Sequence, residues 1–287
     1  MSEPMDDIAI RVAAKYKNKK KIKTKDGEEA VVYEYSEKQI ANRNKAKAKR
    51  IDKLRGKISD LRKKVNKDLT SSDPEKLLTA LAVGLIDHTY ERVGNDDSAK
   101  DGHFGVTGWK REHVKFGKGK ATLKYVGKSG VDHTKEVTDG KLVKALRDAY
   151  EACDEDSDCL FEWDGGSVTA EKVNDYLKPF DVTAKDLRGF HANREMQERL
   201  KAIRSKGKDL PEDKKKREKI LKTEFLKALD EAAESVGHEA STLRSQYLVP
   251  GLEETFLKDG TVSDKFGQLL DGTLEQRVLS RWVLGLV

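Results

Sequence analysis

The strongest constraint on the fold lies between Asn42 and Leu69, where a heavily charged stretch carries one narrow apolar stripe. Ile51, Leu54, Ile58, Leu61 and Val65 follow one another at steps of 3, 4, 3 and 4 residues. That spacing puts them on one face of a long α-helix. So polar a helix is stable only if its stripe is buried against something richer. The sequence supplies a partner directly: Ser71-Ser72-Asp73-Pro74 reads as a helix start, with proline in the first turn. The amphipathic run Leu77 to Val93 that follows is expected at the centre of the core.

Further helices are expected at Lys141–Ala152, Ala170–Lys178, Ala184–Ser205, Pro211–Val236 and Glu239–Tyr247. Between the second helix and these, His113–Phe116, Ala121–Val126 and His133–Val137 read as short strands. Gly117-Lys118-Gly119-Lys120 and Gly127-Lys128-Ser129-Gly130 provide their turns. Ala30 to Tyr35 has strand character from its β-branched and aromatic content. With only five prolines in 287 residues, the expected class is mainly α (α+β): a helical domain carrying a small three-stranded antiparallel sheet. We divide the chain into a basic N-terminal arm with a short strand (1–40), a main domain (41–258) and a helical tail (259–287). Lys201–Lys222 is expected to be a solvent-exposed helical hairpin, and Val278–Val287 a packing helix.

Charge is unevenly placed. From Arg11 to Lys67 there are 21 Lys or Arg and 7 Asp or Glu, an excess of 14 in a chain whose net charge is +6. Polyanion binding is the natural reading, because neutralising phosphates releases condensed counterions; solvated lysine-rich helix faces are the bland alternative. Cys153 and Cys159, six apart, lack the paired spacing of a zinc set. They favour a reducing intracellular compartment. Met1 to Ile10 lacks the basic start and apolar run of a signal peptide, and no stretch approaches the ~20 apolar residues of a membrane span.

Singly, Arg92, Lys128, Arg188, His238 and Tyr247 each admit an ordinary structural role: helix end, hairpin tip, helix ion pair, helix cap and buried core aromatic. As an ordered set they fit one chemistry. Cleavage of a phosphodiester by tyrosine needs a nucleophile, stabilisation of charge on the non-bridging oxygens, and a proton for the departing 5′ oxygen. Two guanidiniums offer forked donors for those oxygens, a histidine adds one more hydrogen bond, and a lysine on a hairpin can act as general acid. No carboxylate cluster suited to Mg²⁺ accompanies them, and no cofactor is expected.

At these residues the chain resembles the type IB DNA topoisomerases of the poxvirus and bacterial kind, within the wider family of tyrosine recombinases and type IB topoisomerases. The resemblance runs over roughly residues 26–258. It is carried by Asn42-Arg43-Asn44, Tyr90-Glu91-Arg92-Val93-Gly94-Asn95, Phe104-Gly105-Val106-Thr107, Lys124-Tyr125-Val126-Gly127-Lys128-Ser129-Gly130, Lys185-Asp186-Leu187-Arg188, and Val236-Gly237-His238 through Tyr247. The nine-residue interval from histidine to tyrosine also matches.

The resemblance implies that Tyr247 forms a 3′-phosphotyrosyl intermediate, that Lys128 protonates the leaving group, and that Arg92, Arg188 and His238 stabilise the transition state. It implies relaxation of supercoils without ATP or metal, on double-stranded DNA, by a monomer. Tyr35, Arg43, Lys45, Lys47, Lys49 and Arg50 would contact DNA, with Asn193 a secondary candidate. Residues 1–40 are too few for the small β domain that relatives close over DNA, and Gly189-Phe190-His191-Ala192-Asn193 departs from the usual Thr-Tyr after the arginine. His191 is read as packing or capping rather than as a DNA contact.

Two other readings compete: a tyrosine recombinase, and a catalytically silent DNA-binding relative. Recombinases usually carry histidine three residues before the second arginine, where this chain has Lys185. A silent relative would be expected to have lost at least one member of the set.

Overall fold

The computed structural model describes residues 18–23, 29–153, 160–207 and 209–263. The expected packing helix Val278–Val287 and Cys159 lie outside the described residues. Two strands come first among the described residues, β1 (Asn18–Lys23) and β2 (Glu29–Glu34), paired antiparallel with Lys20 opposite Val32. The basic arm thus contributes a second strand beside the expected one. Its lysines are held by Lys20–Glu34 and Lys21–Glu29 pairs across the strands.

Helix α1 (Glu37–Asp68) begins five residues before the expected start. The reason is a capping box: the Ser36 hydroxyl accepts from the Gln39 amide, and the Gln39 side chain returns to the Ser36 backbone. Its stripe is buried as the spacing requires, with Ile51 and Leu54 inaccessible and Ile58 packed at the margin. Helix α2 (Pro74–Thr89), capped by Asp73, lies against it and is buried from Leu78 through Ile86. Truncating any one of these leucines to alanine would cost about 2–5 kcal/mol in transfer and cavity terms.

Contrary to the sequence expectation, α2 stops at Thr89 rather than Val93. Tyr90 takes a left-handed conformation (φ 62°) and ends the helix, leaving residues 91–94 in an irregular segment. That segment is pinned by Val106 N to Arg92 O (2.9 Å) and Thr107 N to Val93 O (2.8 Å). The approach demands glycine: a Cβ on Gly105 would lie 2.5 Å from the Gly94 nitrogen and 2.7 Å from the Arg92 oxygen.

After the short helix α3 (Asp96–Lys100) come β3 (Val114–Gly117), β4 (Lys120–Val126) and β5 (Asp132–Val137). They form an antiparallel sheet in the order β3-β4-β5. Helix α4 (Gly140–Ala152) follows. A two-residue strand pair, β6 (Glu162–Trp163) with β7 (Gly166–Ser167), precedes α5 (Ala170–Leu177).

The long α6 (Ala184–Lys206) packs on α1 and on α7 (Lys214–Val236). Helix α8 (Ala240–Thr242) runs into a π-type turn at Leu243–Tyr247, and α9 (Leu252–Asp259) closes the order. The fold is mainly helical with one small three-stranded sheet, as expected. The 201–222 segment is largely exposed, as expected; Leu221 is its one buried residue among those described, and Arg204 pairs with Glu224 at 2.8 Å. The expected division at residue 258 falls inside α9, whose Phe256 is buried beside Phe225.

Candidate active site

Helix α6 explains why the site forms where it does. From Asp186 to Asn193 every residue is buried, including four polar side chains that must each find partners or destabilise the helix. Asp186 receives both bonds from Arg50 Nε at 3.1 Å. His191 Nε2 meets Asp87 Oδ1 at 2.6 Å and stacks on Tyr90. The Asn193 amide donates to Tyr247 O at 2.9 Å, and its oxygen accepts from Val249 N at 2.9 Å. Arg188 is the hub.

Arg188 spends each of its nitrogens. Its Nε donates to Tyr90 O (2.6 Å), the carbonyl exposed by the left-handed end of α2. Its Nη1 donates to the Tyr247 hydroxyl (2.8 Å), and its Nη2 meets His238 Nε2 (2.8 Å). A guanidinium has no lone pair to offer, so His238 Nε2 accepts and its proton sits on Nδ1. The histidine and tyrosine rings are 4.5 Å apart. Residues separated by 50 to 59 positions in the chain thus share one guanidinium.

Arg92 makes no hydrogen bond into this group, but its charge acts on both Arg188 and His238. Burial and then the repulsion of Arg188 and Arg92 bring His238 down to about 3, so the imidazole is neutral at pH 7. Lys128 is the member not gathered in. It sits exposed in the single turn Lys128–Gly130 between β4 and β5, without a bond to the cluster. That turn is closed by Gly127 N to Val131 O (2.7 Å).

Sequence reading missed a buried acid beside these cations. Glu91 is 4% exposed, with Oε1 3.1 Å from His133 Nδ1 and 3.4 Å from Lys135 Nζ. Burial alone would raise its pKa, but the His133 hydrogen bond and the Lys135 charge prevail and hold it at about 2. Glu91 lay inside a quoted motif; its role was hidden because His133 and Lys135 come from β5.

Of the expected DNA contacts, Arg43 and Tyr35 stand together, the guanidinium 4.7 Å from the ring centre, and Lys49 is exposed. Lys45 is half-buried. Three others have partners within the protein. Asn193 is fully buried with its amide donating to backbone, so it braces the turn that carries Tyr247. Arg50 is paired with Asp186. Lys47 Nζ is taken up by Leu248 O (2.9 Å) and Gln246 O (3.3 Å). His191 is a packing residue, as expected. Among the described residues no cluster of His, Cys, Asp or Glu is arranged to hold a metal ion, and no helix is long and apolar enough to cross a membrane.

This arrangement, a buried tyrosine hydroxyl under a guanidinium with imidazole beside it and the charge of a second arginine acting on both, is chemically suited to phosphoryl transfer on a polyanion. A family model described as eukaryotic DNA topoisomerase I, catalytic core, matches residues 10–250. The chain therefore belongs to the eukaryotic DNA topoisomerase I catalytic-core family, making it a type IB DNA topoisomerase that acts on DNA. A search of curated proteins found no match.

Proposed function

We propose that this chain relaxes supercoiled DNA through a transient single-strand break, with Tyr247 as the nucleophile and without ATP or metal. The phenolic oxygen attacks the scissile phosphorus and its proton passes to water; the P–O5′ bond breaks, leaving a 3′-phosphotyrosyl link. Lys128 gives a proton to the 5′ oxygen as it leaves, and Arg92, Arg188 and His238 hold the non-bridging oxygens of the pentavalent transition state. The free end rotates, and attack by the 5′-hydroxyl reverses the link.

The observation that carries this reading is the Arg188 fork, 2.8 Å from both the Tyr247 hydroxyl and His238. A phosphate entering here would exchange with groups already on the guanidinium, which brings its phosphorus to the nucleophile. The exposed turn bearing Lys128 agrees with a general acid that closes only over bound DNA, since such contacts often tighten only in the reactive complex.

Within the family we place the chain with the compact poxvirus and bacterial kind. Its nine-residue interval from His238 to Tyr247 is spanned by one helical turn and one π-turn. We further propose that it acts as a monomer and that Arg43, Tyr35, Lys45 and Lys49 contact phosphates. The test is relaxation of supercoiled plasmid in EDTA by wild type and Tyr247→Phe, with denaturant trapping of the covalent adduct. Relaxation and adduct are expected for wild type alone; equal activity of the variant would reject the nucleophile, and relaxation only with Mg²⁺ the mechanism.

A further inference from the structure

The turn that carries Tyr247 has a backbone problem. The π-type geometry runs Leu248 N to Leu243 O (3.1 Å), and the chain then leaves the helix. The carbonyls of Gln246, Tyr247 and Leu248 are therefore left without helical partners. Each is met by a side chain. Asn193 Nδ2 takes Tyr247 O from the α6 side (2.9 Å), while Lys47 Nζ takes Gln246 O (3.3 Å) and Leu248 O (2.9 Å) from α1. The ammonium thus straddles the tyrosine.

One helical turn further along α1, Arg50 holds Asp186 by both carboxylate oxygens (3.1 Å). Asp186 is the capping-box residue at the start of α6, two positions before Arg188. The same turn of α1 therefore touches the element bearing the nucleophile and the element bearing the guanidinium that faces it.

Resting on Tyr247 being the nucleophile, we propose that Lys47 is a positioning residue for the reaction: from α1 it clamps the carbonyls on either side of Tyr247 and fixes the hydroxyl against Arg188. Its role is thus distinct from the phosphate contact that its basic surroundings suggest. Burial, then Lys185, Arg43 and Arg50, pull its ammonium down to about 8, with Asp186 opposing. A phosphate arriving on Arg43 of the same helix would relieve part of that repulsion. DNA engagement would thereby firm the clamp.

The experiment compares wild type, Lys47→Arg, Lys47→Gln, Lys47→Met and Tyr247→Phe on a short labelled duplex. The measurements are duplex Kd, the single-turnover rate of adduct formation at saturating protein, and Tm. Misplacing a reacting atom by about 1 Å can cost about 100-fold in rate. We expect Lys47→Met to form adduct about 10- to 100-fold more slowly with Kd within about twofold of wild type. Lys47→Gln, which can still donate to a carbonyl, should fall between Lys47→Met and Lys47→Arg. Glutamine and methionine variants that bind DNA equally weakly and react at the wild-type rate once saturated would overturn the inference in favour of a phosphate contact. An unchanged rate and Kd in Lys47→Met, beside an inert Tyr247→Phe, would overturn the clamp alone. Adduct formed by Tyr247→Phe would overturn the nucleophile on which it rests.

Discussion

The Arg188 guanidinium and the Tyr247 hydroxyl stand 2.8 Å apart, both side chains buried, although 59 positions separate them in sequence. The first prediction follows from the fork. Lysine in place of Arg188 keeps the charge but cannot serve Tyr90 O, Tyr247 and His238 together. Arg188→Lys should bind duplex DNA almost normally and form the covalent adduct about 10²- to 10³-fold more slowly, the usual cost of losing a transition-state donor. Single-turnover cleavage at saturating DNA checks it; a wild-type rate would refute it.

His238 should stay neutral through the physiological range. Its folded value near 3 lies below the ordinary 6.5. Between pH 6.5 and 3 the unfolded chain therefore takes up a proton that the folded chain refuses, and stability falls as pH falls through that window. In DNA-free protein, the His238 ring signals in NMR should not titrate between pH 8 and 5. A midpoint near 6.5 would contradict the cationic surroundings described above.

Glu91 makes a separate contribution at lower pH. Its folded pKa of about 2 lies below the ordinary 4.5, so the stability it contributes is complete above 4.5 and lost as pH falls toward 2. Glu91→Gln should lose stability at pH 7, by up to about 3–5 kcal/mol for a broken buried pair. Its stability should also depend less steeply on pH in the acid window. Urea unfolding at a series of pH values measures both effects, and parallel curves for the two proteins would refute the assignment.

Lys128 is assigned to the leaving group, so its importance should depend on how good that group is. Lys128→Ala should cleave an ordinary duplex about 10²- to 10⁴-fold more slowly, the range for general acid catalysis. With a 5′-bridging sulfur, which departs without needing a proton, the variant should approach the wild-type rate. An equal defect on both substrates would exclude the role.

Asn193→Ala should cost about 1–3 kcal/mol by leaving Tyr247 O and Val249 N unpaired in the interior, with adduct formation slowed. Chemical denaturation and adduct trapping on the same preparation test it. Unchanged stability would show that water replaces the amide.

Legibility of the sequence divided along physical lines. The α1 stripe, the α2 start at Asp73-Pro74 and the three-stranded sheet follow from local spacing and turn chemistry, and these appear as expected. The end of α2 did not, because nothing local forces Tyr90 into a left-handed conformation; Arg188 takes its carbonyl from across the core. That Arg188, His238 and Tyr247 would meet was readable because the chemistry proposed for them needs all three, and they share one guanidinium. The protein partners of Lys47, Arg50 and Asn193 were not legible because a side chain's commitment to a distant carbonyl or carboxylate leaves no trace in spacing. Glu91 was overlooked for the same reason.

The engagement of all three Arg188 nitrogens in the free protein has an energetic consequence for the proposed catalysis. A guanidinium with open donors would grip any phosphate in the ground state, and such grip adds nothing to the rate once DNA is bound. Beyond the two N–H groups that remain to Arg188, an incoming phosphate oxygen would have to displace the phenol or the imidazole, so part of the first contact is exchanged rather than gained. On the proposed mechanism, more of the reward then falls where the trigonal-bipyramidal oxygens gain charge.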